Sequence, residues 1–557
     1  MLLVHAEAVP LQKILSSNLQ MIVPIFQREY TWDKEIVRTL WEDIMKLYNS
    51  VYEDGNNSST HFLGPIVRAE VDTSSVDIRK FWLIDGQQRV TTLMVLLACL
   101  RNYIKESGEN SWKKIESGYL MNYEEEGLDR YKLVPSEGDQ RVFKDIVDGK
   151  DDLNESKLKD TFDYFNLKIS TTQDLDLEKL RGLIINNLFL VSIDTGHDEN
   201  PYLIFESLNG KGTPLTQADL IRNYIFMKID DERRQKELYD ECWRDMEIRL
   251  GKELNAFFWR YSLKDGTFVK MKRTYANLKM ELETNNHKNA ENELKKLHEY
   301  SLYYEKLIYP EKEEKKDISK RLARHNQWEI RTEYPFLLNL YRDYTDKNNK
   351  IIDTETFCEI LDIIESFVVR RFLCGYPTNK LNQLFIRLYS RLDPTDPVDS
   401  LKDNLYDDFP DDEEFKEEIK DYPIYLSGYS KCSLILKTFE RSQGHKEIVE
   451  GNLQIEHIMP QAVGESERLP DVWKEMLGPD YYEVHDEYLH TLGNLTLTGY
   501  NQELGQKSFE EKKKLYKDSN VTLNHYFEGI ETWNEEEIQK RAEILANQAL
   551  DIWKGVE

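Results

Sequence analysis

Cysteine is scarce in this 557-residue chain: there are five, and Cys99, Cys242, Cys358, Cys374 and Cys432 form no CxxC pair. That scatter suits a reducing cytosol and excludes a cysteine-based zinc site. Glycine and proline, 25 and 16 residues, are too sparse for a collagen-like or linker-dominated chain. No apolar run reaches the roughly 20 residues of a membrane span. The opening MLLVHAEAVPLQKILSS lacks the basic start and long apolar core of a secretion signal. A cytoplasmic protein with no membrane partner is expected. Positive charge is also short, with 74 Lys and Arg against 102 Asp and Glu and a net charge of −28. This argues against a general nucleic-acid binder, which wants a basic face. Net charge does not exclude a local groove, however. KKKLYK (512–517) and FVVRRFL (367–373) are basic segments that can line one.

The length predicts two to four domains. Residues 1–230 mix strands with helices: HFLGPIVRAEV (61–71), KFWLIDG (80–86) and NLFLVSIDT (187–195) are rich in β-branched and aromatic residues. After the second of these, Val90, Leu93, Met94, Leu97 and Ile104 fall on one helical stripe. Residues 231–429 have helical spacing throughout and form a helical middle. Their charged stretches, 311–321 and 407–421, read as solvated faces or loops. Residues 430–557 hold short strands and loops, then helices. The fold class is α+β multidomain.

IDGQQRVTTL (84–93) runs from an apolar strand through glycine into a helix. Free N–H groups and the positive end of the helix dipole make such a start an anion site. Gly86 allows a ligand close to the backbone. Arg89 can fork onto phosphate, Thr91 or Thr92 can donate a hydroxyl bond, and Gln87 and Gln88 can orient a water or read a base edge. The competing reading is a capped turn, with Asp85 as N-cap and Arg89 in a surface ion pair. VPIFQREYTW (23–32) sets Gln27, Arg28, Tyr30 and Trp32 beside Pro24 ahead of a helix. It either lines the site or, at Trp32, forms a buried hydrophobic staple. FESLNGKGTPLTQADLIRNYIF (205–226) carries Asn209, Gly210, Lys211 and Gly212 before a helix capped near Thr216. It is a second phosphate-friendly loop, or a glycine loop with an exposed lysine. No Walker A loop is present.

These three motifs, in this order, resemble the N-terminal domain of GmrS-like proteins, over roughly residues 10 to 230. The resemblance implies a ParB/sulfiredoxin-like fold that binds and hydrolyses a nucleoside triphosphate without a P-loop. It assigns Asp85, Gly86, Gln87, Gln88 and Arg89 to the nucleotide, with Gln27 and Arg28 as neighbours. Asn209, Lys211 and Asp219 match the third motif.

LQIEHIMPQ (453–461) places an acid and a histidine together at the end of a strand-like run. LGNLTLTGYNQELGQKSFEEKK (492–513) follows, with a hairpin-like GNLTLTG, Asn501 at its exit and a lysine-rich helix. A lone histidine on a strand is more often structural than catalytic. The whole pattern fits phosphodiester hydrolysis. His457 would take the proton of the attacking water, and Glu456 with Asn501 would hold a divalent metal, Mg²⁺ or Mn²⁺. Asn494 would sit in the hairpin turn and orient the histidine loop. Lys507 and Lys512 to Lys514 would meet the DNA backbone. A structural zinc on His485 and His490 is a weaker idea without cysteines.

This region resembles the HNH nuclease domain of GmrD-like proteins, a ββα-metal fold. The last position is asparagine where a histidine is common, which leaves open whether Asn494 or Asn501 touches metal. Asn501 is favoured, and His490 can also enter the site. Both ends together resemble single-chain GmrSD-type, modification-dependent (type IV) restriction enzymes. In the middle, RRFLCGYPTNKLN (370–382) adds to the likeness. The resemblance implies an NTP-regulated, metal-dependent endonuclease acting on modified phage DNA in antiviral defence. Two alternatives stand beside it: a nucleotide-binding sensor or interaction protein with an inactive HNH-like end, and a nuclease acting on RNA as a toxin. A homo-oligomer is compatible with either end.

Overall fold

The computed structural model describes residues 5–15, 18–56, 58–71, 78–195, 215–229, 231–284, 289–346, 352–443, 453–461, 469–499 and 504–556. It is a mixed α/β structure whose packing divides the chain into two units. The first holds residues 1–255 and 275–296, the second 256–274 and 297–557. The helices after residue 230 are divided between the two units.

The first unit is built on a six-stranded mixed sheet. Its strands are β1 (His5–Pro10), β2 (Leu19–Ile22), β3 (His61–Glu70), β4 (Arg79–Asp85), β5 (Leu133–Val134) and β6 (Leu188–Thr195). Their order across the sheet is β1-β6-β3-β4-β2-β5. The three expected strands are β3, β4 and β6, and they lie side by side at its centre. β6 pairs parallel with β3, and β3 antiparallel with β4.

From the end of β4 the chain enters the Gln87–Glu106 helix. The expected stripe of Val90, Leu93, Met94, Leu97 and Ile104 is buried. So are Val95, Leu96, Ala98, Cys99 and Leu100 between them, so the helix is enclosed on all sides. Such a helix serves as a core element. It packs against the Glu137–Val147, Lys157–Thr171 and Leu177–Asn187 helices, which contribute Phe143, Phe165 and Leu183 to the same core.

The second unit is helical apart from β7 (Gln454–His457) and β8 (Leu495–Thr498), which pair antiparallel with Glu456 opposite Thr496 and His457 opposite Leu495. Among the described residues between β6 and β7 every regular element is a helix. GNLTLTG is therefore one strand entered from a 3₁₀ turn at Leu492–Asn494, not a hairpin in itself, and its partner is the distant LQIEH segment. The stretch 407–421, expected as solvated face or loop, contains the Asp412–Asp421 helix. Phe415 and Ile419 bury its inner side near the Glu535–Ile552 helix.

One basic segment, FVVRRFL, is not a surface groove. Arg370 and Arg371 of FVVRRFL are buried. Arg370 donates to Trp553 O (2.7 Å), Pro410 O (3.0 Å) and the Asp412 carboxylate (2.6 Å), and Arg371 donates to Asp408 O (2.6 Å). They tie the Thr354–Leu373 helix to the end of the chain and have no face for DNA. Among the described residues, no helix is long and apolar enough to cross a membrane.

Candidate functional site

In the first unit the DGQQR turn begins where β4 ends. Gly86 caps the helix in the left-handed region, φ 89°, and a Cβ there would stand 2.5 Å from the Ile66 methyl on β3. Only glycine meets both demands. Asp85 is not the N-cap, and among the described residues no side chain caps the first N–H groups of the helix. That removes half of the capped-turn reading. The other half stands in part, because Arg89 lies 3.5 Å from the Asp85 carboxylate. Arg89 also donates to Pro65 O, and its guanidinium fills the space a Cβ on Gly64 would need. Burial raises the Asp85 pKa against the opposing pull of Arg89, the Gly86 N–H and Arg28. Burial also lowers that of Arg89.

The two glutamines answer a structural demand. Gln87 donates to Arg28 O (3.2 Å). Gln88 donates to Glu29 O (3.1 Å) and accepts from Thr31 N–H (2.8 Å). Gln27 donates in return to Ile84 O (2.7 Å). Tyr30 completes the seam, with its hydroxyl 2.6 Å from Thr92 Oγ1 and its N–H donating to Asp139 at 2.6 Å. The FQREYTW and DGQQR motifs are thus one hydrogen-bonded unit.

These contacts bear on three of the expected side chains. Gln88 is buried with its amide fixed to backbone, so it is not poised to orient a water. Thr92 is fully buried and bonded to Gln88 O and Tyr30. Thr91 is buried beside it. Trp32 packs at the edge of the core, as a staple would.

Arg28 differs from its neighbours. It is half-buried, and its guanidinium makes no hydrogen bond or ion pair with any described residue, yet it is close enough to lower the Asp85 pKa. The third motif reaches the same segment through Phe226, which stacks on Phe26 at 6.0 Å. Its helix starts at Thr216 as expected, in a capping box with Asp219, which also pairs with Arg222 at 2.8 Å. Asn209 and Lys211 lie outside the described residues.

In the second unit, His457 and Glu456 end β7. Successive strand side chains point to opposite faces, and the two residues meet different partners. Glu456 accepts from Lys512 Nζ at 2.6 Å, and the same ammonium donates to His457 O at 2.7 Å. Both side chains are buried. Burial raises the Glu456 pKa and lowers that of Lys512, each opposed by the partner's charge. Lys512 is therefore not a DNA contact. Lys513 donates to Ile530 O (2.7 Å), while Lys507 and Lys514 are exposed.

Glu456 does not fit a metal-ligand role as placed, because a buried ammonium already neutralises it. Asn501, the other expected ligand, lies outside the described residues. Among the described residues no group of three His, Cys, Asp or Glu side chains could hold a metal ion.

The His457 ring sits in a small cluster. Its Nε2 is 3.3 Å from His490 Nδ1 and 3.2 Å from the Gln461 amide nitrogen. An amide N–H can only donate, so this Nε2 accepts and the ring proton is on Nδ1. Tyr425 stands edge-on to His457, centroids 4.5 Å apart, and stacks on His490 at 5.4 Å. Burial, then His490, Lys512 and His485, push the His457 pKa down to about 3. Burial, then His485, lower that of His490. His485 is bonded to Pro460 O (3.0 Å), and not to a metal partner.

Asn494 is fully buried with every hydrogen-bonding group engaged. Its Oδ1 accepts from Met459 N–H (2.8 Å) and Trp533 (3.2 Å), and its Nδ2 donates to Met459 O (3.2 Å) and Leu489 O (3.0 Å). It holds the chain just past His457. Gly493 has no room for a Cβ, which would stand 2.6 Å from Ile538 O. Arg541 braces the turn through Gly493 O (2.8 Å) and Leu495 O (2.7 Å). LGNLTL is thus mostly the scaffold of the histidine. Sequence reasoning missed Tyr425, which carries no local signal, and left Gln461 without a role although it ends the EHIMPQ motif.

Two family models match the chain. One, the N-terminal domain of the GmrSD restriction endonuclease, covers residues 11–226. The other, the C-terminal domain of GmrSD restriction endonucleases, covers residues 409–548. No curated protein matches. The two matches enclose the two clusters and together span more than half of the sequence, so the chain belongs to the GmrSD restriction endonuclease family, nucleases of restriction defence whose substrate is DNA.

Proposed function

We propose that this chain is an NTP-regulated endonuclease that cuts modified phage DNA. In this reading the first unit is a ParB/sulfiredoxin-like nucleotide domain, and β7, β8 and the Phe509–Lys517 helix are a ββα-metal HNH core. The observation that carries the nuclease half is His457. Its neutral Nε2 accepts hydrogen bonds at the end of a strand, braced from both sides. That lone pair takes a proton from the water whose oxygen attacks phosphorus. The bond from phosphorus to the leaving oxygen breaks, and that oxygen is protonated from solvent. With a pKa of about 3 the imidazole is a weak base. The phosphodiester anion beside it favours the protonated ring and raises its basicity.

For the nucleotide half, support comes from the uncapped helix start after Gly86 and the unpartnered Arg28 beside it. Free N–H groups and a guanidinium suit the phosphates of a nucleoside triphosphate. Gln87 and Gln88 act by holding the segment that bears Arg28. A divalent ion, Mg²⁺ or Mn²⁺, remains part of the proposal, and at Glu456 it would compete with Lys512.

The test is cleavage of modified DNA, unmodified DNA and RNA, with each NTP, in Mg²⁺, Mn²⁺ or chelator. The proposal expects cutting of modified DNA that requires both nucleotide and divalent ion. Nucleotide binding without any cutting would favour the sensor reading, and cutting of RNA alone the toxin reading.

A further inference from the structure

We propose that Tyr425 is a catalytic residue of the nuclease site, donating a hydrogen bond from its hydroxyl to a non-bridging oxygen of the scissile phosphate. This rests on the reading of His457 as proton acceptor. Three observations carry it. The ring lies against both histidines, edge-on to His457 and stacked on His490. Its backbone is fixed to the same place, because Tyr425 N–H donates to His490 O (3.3 Å) and Ile424 beside it is buried.

The third observation is the hydroxyl. It makes no hydrogen bond to any described residue, and it is not among the fully buried polar atoms left without a partner. Packed tyrosines usually bury the ring and satisfy the hydroxyl. Tyr488, for example, receives a bond from Gln539 at 2.8 Å. Tyr425 has the packed ring and, among the described residues, a hydroxyl without a partner.

The turn also presents Leu426 and Tyr429, 67% and 50% exposed, on either side of Ser427 and Gly428. These apolar side chains suit the sugars and bases flanking a scissile phosphate better than water. As phosphorus becomes five-coordinate its non-bridging oxygens gain charge, and a donor already in place stabilises that charge without reorganising.

The test uses the full chain and a DNA cut by the wild type. Tyr425→Phe keeps the ring and removes only the donor. It should retain the wild-type melting temperature and DNA affinity, while single-turnover cleavage falls by roughly 10²-fold, the typical loss of one such donor. Sulfur at the non-bridging position should slow the wild type and have little further effect on Tyr425→Phe. Wild-type cleavage by Tyr425→Phe, with His457→Ala inactive, would overturn this proposal alone. If His457→Ala also cuts normally, the site reading has failed and the proposal falls with it. Loss on Tyr425→Ala but not on Tyr425→Phe would reduce Tyr425 to a packing residue and refute the hydroxyl's role.

Discussion

Gln88 makes two backbone hydrogen bonds across the seam between FQREYTW and DGQQR. Each such bond contributes about 0.5–1.5 kcal/mol, so Gln88→Ala should cost about 1–3 kcal/mol and lower the melting temperature by a few degrees. Gln87→Ala, losing one longer bond, should cost less. An unchanged thermal transition for Gln88→Ala would show that the seam contributes nothing. At His457 the issue is protonation. Its folded pKa of about 3 lies below the ordinary value of 6.5, so the unfolded chain binds the proton first. The neutral form contributes its stability fully above pH 6.5, and this is lost as pH falls toward 3, by up to about 1.4 kcal/mol per pH unit. His457→Gln cannot titrate, so its stability relative to wild type should improve between pH 7.5 and pH 4.5. Parallel pH profiles would contradict a buried neutral imidazole. The polar excess after β4 was legible as a sign of a special site. That two of its side chains, Gln87 and Gln88, bond backbone some 57 to 59 residues earlier was not, because an amide suits a ligand and a carbonyl equally well.

At the scale of elements, β7 and the Phe509–Lys517 helix are joined by Lys512 and Glu456. Lys512→Met would leave a buried carboxylate unpaired, which costs about 3–5 kcal/mol, whereas replacing both partners by apolar residues is often near neutral. Urea titration should show Lys512→Met strongly destabilised and Lys512→Met with Glu456→Leu largely recovered. A mild effect of the single change would mean that Glu456 has another partner. The positions of strands and helices were readable from hydrophobic periodicity: β3, β4, β6, β7 and the 509–517 helix all fall where the pattern puts them. Partners were less readable. GNLTLTG alternates like half a hairpin, and nothing within it says that LQIEH is the other strand. Lysine spacing on the last helix likewise could not tell Lys512, facing inward, from Lys514, facing solvent.

For the molecule as a whole, texture suggested three regions, while packing makes two units. The helical middle has no periodicity break at the point where its contacts change sides. Clustered arginine misled for a related reason. Composition counts charge, and Arg370 and Arg371 direct theirs at buried carbonyls and at carboxylates. The net charge of −28 then leaves DNA recognition to local geometry, where the His457 cluster is the strongest candidate. The most direct measurement is DNA cleavage by His457→Ala beside wild type, with thermal stability and nucleotide hydrolysis recorded on the same preparations. The account predicts no cutting, with nucleotide hydrolysis and the melting transition of the first unit near wild type. Undiminished cutting by folded His457→Ala would contradict it.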